Sequence, residues 1–221
     1  MTTTPLLPFL AAIAAYLVGS LSFAVIVSKA MGLSDPRTYG SGNPGATNVL
    51  RSGSKAAAIL TLVLDALKGY LPAALAVRFG AAYGLHEGTV ALVALAAFLG
   101  HLWPVFFRFK GGKGVATAGG ALFGIDPLLG AATTLTWIII AAFFRYSSLA
   151  SIVAAVFAPF WQLLTQGPDP IAAAVTVMGL LLLWRHSANI RRLLAGTESK
   201  LGNQAPAARP ASAKRRRAAR H

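Results

Sequence analysis

The apolar positions of this sequence fall into long runs that are separated by short polar segments. The runs cover residues 5–31, 55–79, 89–107, 115–123, 128–144, 149–164 and 171–184. A helix needs about 20 mainly apolar residues to cross a hydrocarbon core about 30 Å thick. Because most of the runs reach or approach that length, the pattern predicts an all-α polytopic integral membrane protein.

Composition supports this fold class. Hydrophobic residues make up 56% of the 221 positions and charged residues 12%, whereas an ordinary soluble domain carries about 25% charged residues. The mean hydropathy is +0.63. The chain has no cysteine, and its 6 acidic residues are few for a carboxylate-rich metal site. We therefore expect neither a cysteine nucleophile nor a metal ion.

The cations predict how the chain is oriented in the membrane. They concentrate in residues 32–54, in residues 108–114, at Arg145 and from Arg185 onward. Because Lys and Arg are enriched in cytoplasmic loops, these segments and the C-terminus are expected in the cytoplasm and the N-terminus outside. Between residues 114 and 144 the chain then crosses either twice or not at all.

The short apolar run at 115–123 decides the number of helices. If it crosses, the protein has seven transmembrane helices; if it is re-entrant, the protein has five helices and a re-entrant segment. At 1.5 Å per residue the run is under-length, so it needs a thinned bilayer or a cover of protein. We favour seven helices.

Residues 1–202 are predicted to form one transmembrane domain, and residues 203–221 a polybasic cytoplasmic tail. The tail is rich in Ala, Pro and Arg and shows no periodic apolar face, which is typical of disorder. A basic cluster at this place attracts anionic lipid headgroups by roughly 1 kcal/mol per cation. The alternative is a solvated tail that contributes only to topology.

The first polar segment has the composition of an anion-binding loop, with the sequence GSGNPGATNVLR at 40–51. Its glycines permit positive φ and close approach of a ligand, and successive backbone amides form anion nests. Arg51 adds a planar fork that suits phosphate. A turn-forming connector explains the same composition equally well. The candidate binding residues are Ser41, Gly42, Asn43, Thr47, Asn48 and Arg51.

The remaining polar segments add further candidates. In the second loop Gly111, Gly112, Lys113 and Gly114 lead into an apolar run, where helix amides attract anions; the spacing is not that of a Walker A loop. Arg145 and Ser148 belong to the third segment, in which the arginine alternatively only anchors the topology. In the fourth, His186 and Asn189 share a helical face, although a basic surface helix is the alternative.

Together the four segments predict a phosphate-binding pocket at the cytoplasmic side. The nearby acids are too sparse for the paired carboxylates and Mg²⁺ of most phosphoryl- and phosphatidyl-transferases. A transporter or exchanger of phosphorylated solutes is the competing class, although no paired repeats or broken midplane helices support it. A lipid-holding scaffold is the third.

Four runs carry a resemblance to a known family: GSGNPGATNVLR at 40–51, GHLWPVFFRFKGGKGVAT at 100–117, RYSSLASI at 145–152 and RHSANIRRLLAGTE at 185–198. In this order they closely resemble the motifs of the bacterial membrane acyl-phosphate:glycerol-3-phosphate acyltransferases. The resemblance covers about residues 10 to 200 and leaves only the polybasic extension outside it.

The resemblance implies a step of phospholipid biosynthesis in the bacterial inner membrane. An acyl phosphate acylates the sn-1 hydroxyl of glycerol 3-phosphate at a cytoplasm-facing site, without a cofactor, a metal or nucleic acid, and with membrane lipid around it. Arg51 and Lys113 are assigned to phosphate recognition, and Ser148, His186 and Asn189 are the catalytic candidates. Either His186 or the leaving phosphate removes the hydroxyl proton.

Overall fold

The computed structural model describes residues 6–202, and within this range all regular structure is helical. The tail predicted at 203–221 lies outside the described residues. Short 3-10 turns follow α3 and α4 and precede the loop that leads to α6. The α-helices are α1 (Leu7–Gly19), α2 (Phe23–Ala30), α3 (Ala46–Val49), α4 (Lys55–Phe79), α5 (Glu87–Leu102), α6 (Val115–Ile125), α7 (Pro127–Phe144), α8 (Ser147–Gln166), α9 (Pro170–Arg185) and α10 (Ser187–Leu194).

Several of these helices are long and apolar enough to span a bilayer. In the described part of the chain, 4 helical segments meet this condition, namely α4 and α5, each extended by the 3-10 turn that follows it, α7 and α8. The pairs α1–α2 and α9–α10, bent by 40° and 57°, raise the number to 6 if each is one span. The prediction of an all-α membrane protein is confirmed, whereas the count of seven and the orientation stay predictions.

Large apolar side chains point away from the helix bundle. Leu60, Leu135, Phe160 and Leu180 are all exposed, with exposed fractions from 44% to 62%, while the buried hydrophobic positions are mostly alanine and valine. Small residues let transmembrane helices approach closely, and large apolar ones suit the lipid face. This distribution is that of a protein in lipid rather than in water.

The short helix α6 packs backbone to backbone against α4. A Cβ atom on Gly120 would lie 1.9 Å from the carbonyl oxygen of Ala66, and one on Gly69 would lie 2.1 Å from that of Thr117. Only glycine permits such an approach. The contact gives α6 the cover of protein that a short apolar helix needs at membrane depth.

The break between α1 and α2 is closed by a side chain from α4. Residues 20–22 interrupt the helix, which leaves carbonyl groups without intrahelical partners. The Lys68 ammonium donates to the carbonyl oxygen of Leu21 at 2.6 Å. Ser20, at the start of the break, is fully buried. The serine-containing interruption is thus a bend that an intramembrane cation stabilises.

Candidate active site

Contacts between their residues bring the four polar segments together at one end of the bundle. The loops lie before α4, between α5 and α6, before α8 and after α9. The Lys113 ammonium donates to Oδ1 of Asn189, which joins the second and fourth segments. Arg51 is close enough to Lys113 for its charge to act on that amine. Three candidates from distant parts of the chain therefore meet at one site.

A cavity of about 370 Å³ opens between these loops. The residues that line it are Ser41, Gly42, Asn43, Gly111, Lys113, Trp184, Arg185 and Ser187. The first five are candidates from the sequence, and the last three were not among them. A cationic cavity with hydroxyl, amide and glycine walls suits an oxyanion.

Asn48 shapes the first loop rather than facing the cavity. Its Nδ2 donates to the carbonyl oxygens of Pro36 at 2.7 Å and Tyr39 at 3.2 Å, and its Oδ1 accepts from the backbone amide of Ser41 at 3.0 Å. The carboxamide is buried, so the loop itself uses its hydrogen-bonding capacity. This arrangement holds Ser41 and Gly42 at the cavity wall.

Thr47 and Arg51 also belong to the first loop. Thr47 is exposed, and its Oγ1 lies 3.5 Å from Oγ of Ser147 at the start of α8. The Arg51 side chain passes over Gly40, where a Cβ atom would lie 2.9 Å from Cδ of that arginine. Gly40 has a φ of +59°, a conformation that only glycine adopts readily. The glycine thus makes room for the arginine.

Arg185 holds the second loop from the cavity side. Its Nη2 donates to the carbonyl oxygens of Gly111 and Gly112, each at 2.8 Å, and its Nε donates to that of Gly112 at 3.1 Å. The sequence marked Arg185 only as a cation at a helix end. It therefore missed this anchoring role, because a cation at a helix end predicts topology rather than a contact with one loop.

The glycines of the second loop have steric reasons of their own. A Cβ atom on Gly112 would lie 2.2 Å from Nε2 of His101, and one on Gly111 would lie 2.1 Å from the His101 carbonyl oxygen. Gly114 has a φ of +87°, and its Cβ atom would lie 2.3 Å from the Phe98 ring. Each glycine therefore lets the loop lie directly on α5.

The amine of Lys113, at the cavity wall, is affected by several charged side chains. Burial lowers its pKa to about 8, Glu198 opposes this shift, and the cations Arg192, Arg185 and Arg51 reinforce it. Like charges around a half-shielded amine disfavour its protonated form. The same charges create a positive potential that attracts an anion, and a bound dianion would restore the proton to Lys113.

Glu198 ties the fourth segment together. Asn189 donates from Nδ2 to its Oε1 at 2.6 Å, and Arg192 donates from Nε to its Oε2 at 2.7 Å. Burial alone would raise the pKa of this carboxyl, but the neighbouring Ser148, Asn189 and Arg192 hold it below the usual range. Because Asn189 also accepts from Lys113, the carboxylate orients the amide that orients the lysine.

His186 lies buried at the junction of α9 and α10, with an exposed fraction of 3%. Its Nδ1 lies 2.8 Å from the carbonyl oxygen of Leu182; because a carbonyl only accepts, Nδ1 carries the hydrogen and Nε2 is the acceptor. Burial, reinforced by the charge of Lys113, lowers the His186 pKa to about 4. The imidazole is therefore neutral at physiological pH.

Ser148 and Arg145 occupy different parts of the third segment. The Ser148 hydroxyl is buried near Glu198, but no protein atom is in standard hydrogen-bond geometry with it. Arg145 is exposed and ends α7 with a φ of +61°. It donates from Nη2 to the carbonyl oxygen of Leu201 at 3.2 Å, and its own carbonyl accepts from Leu201 at 2.6 Å. It thus holds the segment after α10 and does not line the cavity.

Across residues 6–202, no group of three or more His, Cys, Asp or Glu side chains is placed to hold a metal ion. The side chains that surround Lys113 are amide, hydroxyl and cationic groups together with one carboxylate, that of Glu198. Chemically, the cavity can bind oxyanions, and the neutral imidazole of His186 lies close enough to Lys113 for the charge of that amine to act on it.

Fold and cavity together define an integral membrane protein with a cationic cavity between the loops at one end of its helices. A family profile described as glycerol-3-phosphate acyltransferase matches residues 9–196. The glycerol-3-phosphate acyltransferases of Paraburkholderia xenovorans and Cupriavidus necator are each 64% identical to the chain over 193 residues. These matches cover 87% of this chain and 90% and 96% of the two relatives.

Solved structures agree with these sequence relatives. Two crystal structures of PlsY (YgiH), an integral membrane glycerol 3-phosphate acyltransferase, match with TM-scores of 0.82 and 0.81 at 42% and 40% identity. The matches cover 88% and 89% of this chain and 96% of each PlsY chain. One is the glycerol 3-phosphate form and the other the lysophosphatidic acid form. The chain belongs to the glycerol-3-phosphate acyltransferase family and is an integral membrane acyltransferase.

Proposed function

We propose that the protein transfers a fatty acyl group from acyl phosphate to the sn-1 hydroxyl of glycerol 3-phosphate and releases lysophosphatidic acid and inorganic phosphate. The observation that carries this proposal is the placement of Lys113 in a cavity between the Ser41–Asn43 wall and Asn189. Both substrates carry a phosphate group, and the PlsY forms named for glycerol 3-phosphate and lysophosphatidic acid support the acceptor and the product.

Lys113 and Arg51 are assigned to the phosphate of glycerol 3-phosphate. Ser41 and Asn43 add neutral donors from the cavity wall, and Gly42 and the glycines of the second loop let backbone amides approach the ligand. Asn48, Thr47 and Arg145 act on the shape of the surrounding loops, as their contacts indicate.

The chemical step needs no covalent enzyme intermediate. The sn-1 oxygen attacks the acyl carbonyl carbon, and a new ester C–O bond forms. The bond between that carbon and the phosphate oxygen breaks, and phosphate leaves with the bonding electron pair. Because acyl phosphate is already activated, positioning and stabilisation of the developing negative charge supply the acceleration. We assign the orientation of the reacting groups to Asn189, which accepts from Lys113, and to the buried Ser148 hydroxyl.

The proton of the attacking hydroxyl goes to the leaving phosphate in our proposal. The His186 pKa of about 4 makes its imidazole a weak base. The oxygens of the leaving phosphate are more basic, since even a phosphate monoester has a second pKa of about 6. In this proposal Nε2 of His186 accepts a hydrogen bond from a substrate but does not take the proton. This division of roles fits a neutral imidazole next to a cation.

The reaction is tested with the purified protein in lipid nanodiscs. We expect phosphate release from palmitoyl phosphate only when glycerol 3-phosphate is present, with lysophosphatidic acid formed in equal amount. Palmitoyl-CoA as the donor is the matched comparison. Transfer from palmitoyl-CoA but not from palmitoyl phosphate would refute the donor, and movement of glycerol 3-phosphate across sealed vesicles without acylation would favour a transporter.

The proposed topology has seven transmembrane helices, with the cavity on the cytoplasmic side of the bacterial inner membrane. The four long helices, the two bent pairs and α6 add up to this number. Since the chain has no cysteine, single replacements are clean reporters. Asp126→Cys should react with an impermeant maleimide added outside intact cells, and Ser52→Cys should react only after permeabilisation; the reverse pattern would overturn the orientation.

A further inference from the structure

Three ionisable side chains lie buried in the membrane domain below the cavity. Asp65 and Lys68 belong to α4 and His101 to α5, with exposed fractions of 2%, 2% and 7%. Ionisable groups inside a membrane are expensive, and they are retained mainly where they serve a function. They do not line the cavity, so contact with substrate does not account for them.

These side chains form a connected network. The Lys68 ammonium lies 2.7 Å from Oδ1 of Asp65 and donates to the Leu21 carbonyl oxygen at the bend between α1 and α2. Nδ1 of His101 lies 3.2 Å from Oγ1 of Thr117 on α6 and 3.8 Å from Oδ1 of Asp65. The network therefore fixes the imidazole ring from α4 and α6 at once.

The His101 ring lies directly beneath the loop that carries Lys113. A Cβ atom on Gly112 would come within 2.2 Å of Nε2 and within 3.0 Å of Cε1 of the ring. The Gly112 amide also donates to the His101 carbonyl oxygen at 3.2 Å. On its other side the loop is held by Arg185, through the carbonyl oxygens of Gly111 and Gly112. The loop thus rests between a cavity-side clamp and a buried ring.

We propose that His101, oriented by Thr117 and by the Asp65–Lys68 ion pair, is a positioning residue that sets the place of Lys113 in the cavity. The ring supports Gly112, and Lys113 follows it directly in the chain. This inference rests on the proposed use of Lys113 in binding phosphate. Simple helix packing by the same network would affect stability but not the environment of Lys113.

His101→Ala removes the ring and tests the proposal. A displacement of about 1 Å at a site can cost roughly 100-fold in rate, and we expect a loss of that size in kcat/KM for glycerol 3-phosphate. His101→Gln, which can place a polar atom near the position of Nε2, should recover much of the activity. Thr133→Val is the control, because Thr133 is a buried hydroxyl on α7 without a hydrogen-bond partner; it should keep wild-type kinetics.

The direct readout is the reactivity of Lys113 itself, measured as its extent of reductive methylation against pH by peptide mass spectrometry. In the wild type, burial and the surrounding Glu198, Arg192, Arg185 and Arg51 set the midpoint near pH 8. In His101→Ala the midpoint should move to higher pH, because a displaced lysine is more exposed to water. This readout does not depend on the acyl donor, so it separates failure of the inference from failure of the proposed reaction.

Thr117→Val is the gentler second variant, since it removes the Nδ1 partner at nearly constant volume. If His101→Ala does not fold, Thr117→Val should still show a smaller loss of kcat/KM and a smaller shift of the Lys113 midpoint in the same direction. An unchanged Lys113 midpoint in either folded variant, whether or not activity falls, overturns the inference.

Discussion

Arg185→Met tests whether the cavity depends on the hydrogen bonds by which Arg185 holds the backbone of the second loop. The guanidinium makes three hydrogen bonds to the carbonyl oxygens of Gly111 and Gly112. A hydrogen bond from a charged donor contributes about 1.5–3 kcal/mol. The three bonds serve one loop and are not additive, and water replaces part of the loss. We therefore expect the substitution to cost about 3 kcal/mol in total, which is about twice the free energy of a tenfold change in an equilibrium constant.

This energy predicts a fall of about 100-fold in kcat/KM for glycerol 3-phosphate. The assay is the initial rate of phosphate release in nanodiscs, with the thermal midpoint measured on each protein. Arg185→Lys should fall between the wild type and Arg185→Met, because an ammonium lacks the planar fork. Arg191→Met removes a cation from α10 outside the cavity lining and is the matched control. A folded Arg185→Met protein with kcat/KM within about threefold of wild type would refute the clamp, given the energy above.

The other predictions concern the lysine, the imidazole and the glycine beside them. Lys113→Met should reduce activity by orders of magnitude. In the wild type, KM for glycerol 3-phosphate should rise as pH passes about 8, because the pKa of Lys113 is lowered to that value and the neutral amine binds phosphate poorly. A flat KM between pH 7 and 9.5 in the same initial-rate assay would contradict this. His186→Gln should retain measurable kcat. The wild-type kcat should not fall through protonation of His186 down to about pH 5, because the pKa of this imidazole is about 4. A complete loss of kcat in His186→Gln with intact substrate affinity would identify His186 as the base. Gly112→Ala should abolish activity, since the added Cβ would meet the His101 ring at 2.2 Å, and Gly119→Ala, with open space around it, should keep it.

Much of the architecture could be predicted from the apolar pattern. The run at 55–79 coincides with α4, and the short run at 115–123 differs from α6 by only two residues at its end. The spacing of apolar residues determines helices in lipid, because every backbone group must be bonded within its own helix. The pattern did not predict that α5 ends at Leu102, since the apolar residues that follow it form a turn at the loop.

Part of the candidate site could also be predicted from the sequence. Glycine-rich basic loops signal anion binding through their chemistry alone, and Ser41, Gly42, Asn43, Gly111 and Lys113 do line one cavity. The same reasoning placed Asn48 and Arg145 in the same group, whereas the first bonds to its own loop and the second to Leu201. Residue type predicts which groups can bind an anion, but not which of them a neighbouring backbone occupies.

The sequence by itself determined the membrane-embedded helices, the polar segments at their ends and the phosphate-seeking chemistry of those segments. Only the tertiary structure decided how the segments are held: Arg185 on the loop carbonyls, Glu198 on Asn189, and a buried histidine under Gly112. The physical reason is the distance along the chain over which each effect acts. Hydropathy and glycine content act through local backbone preferences and transfer into lipid, whereas these contacts join residues many positions apart and exist only once the helices have packed.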